Sequence, residues 1–350
     1  MNGRLLLYGA NGYTGELIAR LARRRGVELV LAGRAPGPVS ALASELGFAS
    51  RSFGLDDPAA LDKGLDGISV VLHCAGPFSR TSRPMAEACL RRRAHYLDIT
   101  GEIEVFEALA ARDAEARAAG VMLLPGSGFD VVPSDCLAAH LKRRLPGATR
   151  LALAFRAGAG VSRGTATTMV ENLGRGGCVR VGGRLTRVPV AWKTRAIDFG
   201  RGPRSCMTIP WGDVATAYHS TGIPDVEVYA SVPARLRWLM TLTRPFGPLL
   251  RTRAVRDRLV LRVRSGPPGP SAEERARGRS QLWGEASDAN GARVVSRLDA
   301  PEGYTHTADA ALTLAVRALG GEAPPGFKTP SLAHGPDFVL GLEGVRREDV

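Results

Sequence analysis

Gly9, Gly12 and Gly15 punctuate the stretch "LLLYGANGYTGELIARLARRRG", directly after an apolar run and at the head of an amphipathic one. A strand that feeds a helix start turns free backbone N–H groups and the positive end of the helix dipole toward one small region, which suits a pyrophosphate. Glycine is needed there on steric grounds. A side chain at Gly9 or Gly12 would block the tight turn or the approach of phosphate to backbone, and Gly15 lets the helix pack near the strand. Ala10, Asn11, Tyr13 and Thr14 complete the candidate cradle, with the Thr14 hydroxyl near the helix start. The spacing alone also fits a glycine turn with no ligand; its place after a strand and before a helix, at the head of a βαβ series, favours a dinucleotide.

The end of the next strand discriminates between dinucleotides. An acid there would bind the ribose hydroxyls of NAD, whereas this chain reads "LAGR", with Arg34 and no Asp or Glu before Glu45. The cation favours a 2′-phosphate and hence NADP(H); a solvated surface arginine is the plain alternative. Further along the same crevice, "HCAGPF" offers Cys74, Ala75 and Gly76, small enough for the backbone to approach a flat ring, with Pro77 stiffening the exit and His73 read as a strand residue.

Other polar residues cluster where strands end. Ser79, Arg80, Thr81 and Arg83 either bind substrate or cofactor or cap a helix start, and "YLDITGE" supplies Tyr96, Asp98, Thr100 and Glu102. Tyr96 is a candidate proton donor or a core aromatic; Asp130, in "GSGFDVVPSD" with Ser127 and Ser134, either caps the following helix or faces a cleft. Ser162, with Arg163 and Thr165, is a candidate to meet a substrate carbonyl from a Gly/Thr-rich loop. No Ser/His/Asp or Cys/His arrangement can be inferred. None of the six tyrosines is followed four residues later by lysine, so the Tyr-x-x-x-Lys pair that serves carbonyl reduction in short-chain dehydrogenases is missing. The five cysteines are scattered without a Cys-x-x-Cys pair or a neighbouring His at ligand spacing, so neither a metal site nor a disulfide framework is expected.

The elements that must position these groups alternate regularly through the first 128 residues: strand, glycine turn, helix and strand, then "ALASELG", "SRSFGL", "GISVVLHCAG", "RPMAEACLRRRA", "HYLDIT", "EVFEALAARDAEARAAG" and "VMLLPGSG". That alternation predicts a parallel, doubly wound sheet. Beyond it a helix follows "VVPSD", a strand covers "TRLALAF", and short β-type runs from Cys178 to Ser231 read as a mainly antiparallel second domain. Asn290-Gly291 marks a hairpin, and "YTHTADAALTLAVRALGG" is a helix that returns to the first domain.

With 350 residues, 44% of them hydrophobic, the chain has enough apolar surface for two domains. Neither a signal peptide nor a membrane span is read, so a cytoplasmic location is expected. The formal charge of +13 predicts affinity for anions without naming one. Its densest stretch, 235–264, carries nine arginines and one acid among Trp238, Leu239, Met240, Phe246, Leu249 and Leu250. It reads either as two core-packed helices broken near Pro245 and Pro248, or as an amphipathic face for an anionic membrane surface or an acidic carrier domain. Nucleic acid is not expected, since no matching fold accompanies the charge.

Taken together, "YGANGYTGELIA", "HCAGPFSRTSRPMAEACLRRRAHYLDITGE", "LLPGSGFDVVPSD" and "GYTHTADAALTLA" resemble the saccharopine dehydrogenase-like oxidoreductases, most of all their bacterial branch of trans-acting enoyl reductases. The resemblance implies an NADP(H)-binding Rossmann domain interrupted by a second domain, with an active site in the cleft between them. It also implies a small-molecule or carrier-bound acyl substrate. In the enoyl reductase branch, hydride saturates an α,β-unsaturated acyl thioester on a polyketide synthase carrier domain; true saccharopine dehydrogenases act on a C–N bond between amino acids. A non-catalytic NADP-binding accessory protein is a third reading. The expectation is therefore α/β: a doubly wound Rossmann domain, residues 1–127 and 303–350, interrupted by an α+β domain with a mainly antiparallel sheet, residues 128–302.

Overall fold

Leu5, Leu6 and Leu7 are at most 1% exposed although consecutive side chains in a strand point to opposite faces, so the first strand is covered on both sides. It belongs to a seven-stranded parallel sheet. The computed structural model describes residues 3–350 apart from 157, 159, 172, 175 and 243–251. Contacts divide the chain into two units, residues 1–132 with 304–335, and 133–303 with 336–350.

In the first unit β1 (Arg4–Tyr8), α1 (Tyr13–Arg25), β2 (Val30–Gly33), α2 (Pro36–Leu46), β3 (Ala49–Ser52), α3 (Pro58–Gly64), β4 (Ile68–His73), α4 (Phe78–Arg92), β5 (His95–Asp98), α5 (Ile103–Ala110), α6 (Asp113–Ala119) and β6 (Met122–Leu124) follow one another. The sheet runs β6-β5-β4-β1-β2-β3, with the strand Gly326–Phe327 beside β6. This is the Rossmann order, whose reversal at β1/β4 leaves a crevice at the strands' C-terminal ends. α1 stops because Gly26 adopts a left-handed conformation (φ 66°) and its N–H bonds back to Ala22 and Arg23. The run 104–120, read from sequence as one helix, is two: the chain turns at Arg112, and Asp113 takes the Phe327 N–H at 2.8 Å and ion-pairs with Arg117.

The second unit is built on α7 (Val132–Arg144), β7 (Arg150–Arg156), α8 (Arg163–Glu171), β8 (Gly177–Val181), β9 (Arg184–Val188), β10 (Thr194–Asp198), β11 (Pro203–Thr208), α9 (Asp213–Thr221), β12 (Asp225–Ser231), β13 (Arg279–Ser287) and β14 (Arg293–Pro301). Its sheet is mixed. β12 pairs parallel to β7, while β7–β13, β13–β14, β10–β11, β11–β12 and β8–β9 are antiparallel. The β13–β14 hairpin turns around Asp288, whose carboxylate takes the N–H groups of Asn290 and Ala292.

Two expectations change here. The Gly/Thr-rich stretch after β7 is not all loop, because Ser162 starts α8 by accepting the Thr165 N–H at 3.2 Å. Residues 336–350 do not join the nucleotide unit: the strand Arg346–Asp349 pairs antiparallel with β14, and Asp349 bonds His140 at 2.8 Å. Among the described residues no helix is long and apolar enough to cross a membrane.

Candidate cofactor site

The turn between β1 and α1 is made by backbone alone. Gly9 and Ala10 donate to the Ala32 carbonyl at 2.8 and 3.1 Å, and Gly12 donates to Gly9 at 3.0 Å, so the chain folds back within four residues. Gly9 is left-handed (φ 82°), and a Cβ on it would lie 2.8 Å from the Ala75 nitrogen. At Gly15 a Cβ would meet the Gly9 carbonyl oxygen at 2.2 Å and the Ala10 Cα at 2.9 Å. These glycines therefore keep the loop tight, close α1 onto β1, and leave no space between the β1 and β4 ends for a side chain. Gly12 is the N-cap of α1 and makes no side-chain cap hydrogen bond, the arrangement found where a helix start receives an anion.

Arg34 follows β2 and is exposed. Gly33 binds the loop to this corner: a Cβ there would sit 3.1 Å from the Asn11 Oδ1 and 3.0 Å from Val39. The charge of Arg34 reaches back to Tyr8, opposing the burial that raises the Tyr8 phenol, whose hydroxyl donates to the Phe53 carbonyl at 2.9 Å. Gly9 to Thr14 and Arg34 thus border one corner. A dinucleotide phosphate fits these residues.

At the β4 end, Cys74 donates its N–H to Tyr8 at 2.8 Å, which holds Cys74, Ala75, Gly76 and Pro77 beside the glycine loop. His73 is fully buried among Tyr8, Phe78 and Tyr96, and burial pushes its imidazole down to about 3. Burial likewise raises the Cys74 thiol, so neither side chain ionises near neutrality. α4 begins at Phe78, five residues before the helix read from sequence. Its cap comes from elsewhere: the Glu102 carboxylate takes the N–H groups of Phe78 and Ser79, each at 2.9 Å. Thr81 is turned onto the Ala75 carbonyl at 2.7 Å and Arg83 onto Glu87 at 3.0 Å, so both serve the helix.

Asp98 organises the next two strand ends. Fully buried, it accepts the Tyr96 hydroxyl at 2.6 Å, the Thr100 N–H at 2.9 Å and the Gly126 N–H at 3.0 Å. Burial outweighs these three bonds and pushes its carboxyl up to about 6. Ser127 returns the tie, with its N–H and hydroxyl on the Asp98 carbonyl at 2.7 and 2.6 Å.

The three candidates for chemistry are in different surroundings. Tyr96 is fully buried with its hydroxyl on Asp98, and burial raises its phenol well above the ordinary range. Ser162 caps α8 in the second unit. Asp130 lies in the loop after β6, close enough to Gly101 that a Cβ there would stand 2.9 Å from its Oδ2, and burial pushes its carboxyl up to about 6. The helix Gly303–Leu319, which the sequence reading returns to the first domain, contributes residues to this neighbourhood that the reading did not name. Tyr304 meets Tyr13 edge-on at 5.1 Å, and Thr307 Oγ1 accepts the Phe129 N–H at 2.9 Å. In the sequence the "GYTH" stretch reads as a helix start and as part of the family resemblance, without a site role for any one residue.

Residues 5–124 match the family model described as saccharopine dehydrogenase NADP binding domain. A trans-acting enoyl reductase of Mycobacterium ulcerans is 32% identical over 148 residues, covering 40% of this chain and 35% of the relative. A human saccharopine dehydrogenase-like oxidoreductase is 27% identical over 165 residues, covering 41% and 38%. The alignments thus span little more than a third of the length of these curated relatives. An apo saccharopine dehydrogenase (L-Glu forming) from Saccharomyces cerevisiae has the same fold, with a TM-score of 0.69 over 99% of this chain and 100% of that one at 12% identity. Residues 5–124 are therefore an NADP-binding domain of the kind found in saccharopine dehydrogenases.

Proposed function

We propose that the chain is an NADPH-dependent oxidoreductase that reduces an activated C=C bond in a thioester-borne, lipid-like or polyketide acyl substrate. The observation that carries the choice of bond is the 32% identity over 148 residues to a trans-acting enoyl reductase. When bound, NADPH supplies the hydride that saturates the substrate's β carbon. In this reading Gly9, Ala10, Asn11, Gly12, Tyr13, Thr14 and Gly15 hold the pyrophosphate, Arg34 holds the 2′-phosphate, and Cys74 to Pro77 border the ring end.

The chain's own remaining tasks are to stabilise an enolate oxygen and to deliver a proton to the α carbon. Asp130 suits the second, since a carboxyl pushed up to about 6 holds a proton into the near-neutral range and still gives it up. Neither Tyr96, locked on Asp98, nor Ser162, at a helix cap, has comparable support. An acyl substrate on an acidic carrier or at an anionic membrane surface also suits the second unit. Trp238 and Leu261 are 65% and 66% exposed on the arginine-rich helices Ala234–Leu242 and Arg253–Arg264. Pro245, Phe246, Pro248, Leu249 and Leu250 lie outside the described residues.

The test is NADPH oxidation by the purified chain with enoyl thioesters and, separately, with imines. Turnover of enoyl thioesters is expected. Turnover of imines alone would assign the C–N chemistry instead, and retained nucleotide with neither substrate consumed would favour an accessory role.

A further inference from the structure

We infer that His306 is a cofactor-contacting residue, one ring nitrogen bonding the carboxamide at the nicotinamide end of the dinucleotide. The inference rests on the placement proposed above, with the dinucleotide crossing from the β1 end toward β4. His306 is 1% exposed, and both its ring nitrogens lack a hydrogen-bond partner among the described residues. Buried polar atoms are rarely left so, because an unmade bond costs the desolvation of the group, and these two nitrogens call for a partner.

The position of the ring says what that is. In the order β6-β5-β4-β1 the C-terminal ends of four strands lie in a row, and three strand spacings of about 4.8 Å separate the two outer ones. The first turn of the helix Gly303–Leu319 touches both outer loops. Tyr304 packs on Tyr13 of the glycine loop at 5.1 Å; Thr307 accepts the Phe129 N–H at 2.9 Å and would lie 2.8 Å from a Cβ on Gly128. His306 sits between these two anchors in sequence, edge-on to Phe129 at 6.0 Å. It therefore stands on the one helical turn that joins the β1 and β6 loops, on the side toward which a dinucleotide entering at Gly9 extends.

Burial holds the imidazole uncharged, pushed down to about 4, so it presents one N–H and one lone pair. A primary carboxamide, with an N–H donor and a carbonyl acceptor, can pair with either. His73, the other buried histidine with both ring nitrogens unpartnered among the described residues, is packed against the rings of Tyr8, Phe78 and Tyr96.

The experiment compares binding of NADPH with binding of 2′-phospho-ADP-ribose, which lacks the nicotinamide, by calorimetric titration. His306→Leu is expected to weaken NADPH about three- to tenfold and to leave the fragment's affinity unchanged. His306→Gln, which keeps an amide, is expected to lose less than leucine does. Unchanged NADPH affinity, equal losses for both ligands, or glutamine as weak as leucine would each overturn the inference. Should the leucine variant not fold, His306→Phe keeps the ring shape and carries the same comparison. A wild-type chain that binds neither ligand would overturn the placement at the glycine loop itself.

Discussion

Replacing Asp98 separates a hydrogen-bonding role from a charge role. Asp98→Ala leaves the Tyr96 hydroxyl, the Thr100 N–H and the Gly126 N–H without their acceptor, all in fully buried surroundings. At about 1–3 kcal/mol for each stranded donor, and with water able to enter the space the carboxyl vacates, the loss should be about 3–5 kcal/mol. Asp98→Asn behaves differently, because Thr100 and Gly126 both donate to Oδ1, which asparagine keeps, and the Tyr96 hydroxyl can turn to accept from the new amide. Its cost should stay below about 1.5 kcal/mol at pH 7. The folded carboxyl titrates near 6, above the ordinary aspartate value, so the folded state holds this proton more tightly. The associated stability is fully present below about pH 4 and is lost as pH rises through 6, amounting to about 3 kcal/mol. Asp98→Asn should remove that contribution to the slope. All four tryptophans fall in the second unit, so indole fluorescence reports that unit. The assay is therefore hydrogen exchange of peptides covering residues 95–130, read as local opening free energies at pH 5 and pH 7. Equal losses for alanine and asparagine, or an alanine loss below about 1 kcal/mol, would refute the reasoning.

Gly15→Ala places a methyl where the Gly9 carbonyl oxygen stands, so the glycine loop must move and NADPH affinity should fall at least about tenfold in a titration; an unchanged affinity would show that the loop does not hold the phosphates. If Asp130 donates the proton, its acid form is required and kcat/KM should fall as pH rises through about 6. Asp130→Asn should abolish that limb, and a wild-type profile flat from pH 5 to 8 would remove Asp130 from the chemistry. Sedimentation with anionic vesicles should recover the chain at low salt and release it as salt rises, since screening weakens attraction through the arginine-rich helices. Absence of binding at low salt would remove the membrane reading.

The glycine loop was legible in the sequence because its rule is local. Gly9, Gly12 and Gly15 act on one turn, and the steric demand of each is visible in the spacing itself. Strand β1 was legible for the same reason, three consecutive leucines being affordable only where both faces are covered. What escaped depends on partners brought together by the fold. α4 starts early because Glu102 caps it from 24 residues away, and the Phe129–Thr307 bond spans 178. Ser162 reads as a substrate-facing hydroxyl because a lone serine ahead of an arginine, a glycine and three threonines does not announce a cap; only the helix behind it does. The strand Arg346–Asp349 reads "RRED", with no apolar alternation, and is recognisable only by its pairing with β14 and the Asp349–His140 bond. Buried rings likewise separate only by neighbours: Tyr96 lies on Asp98, whereas His306 has no partner for either nitrogen among the described residues.

The central claim is that the turn after β1 and the arginine after β2 together hold NADP(H). Titration of the wild-type chain and of Arg34→Ala with NADPH and NADH tests it directly. The account predicts that the wild type prefers NADPH and that the variant loses most of that preference through weaker NADPH binding, with NADH affinity nearly unchanged. Equal losses for both coenzymes, or a wild type that does not distinguish them, would contradict it.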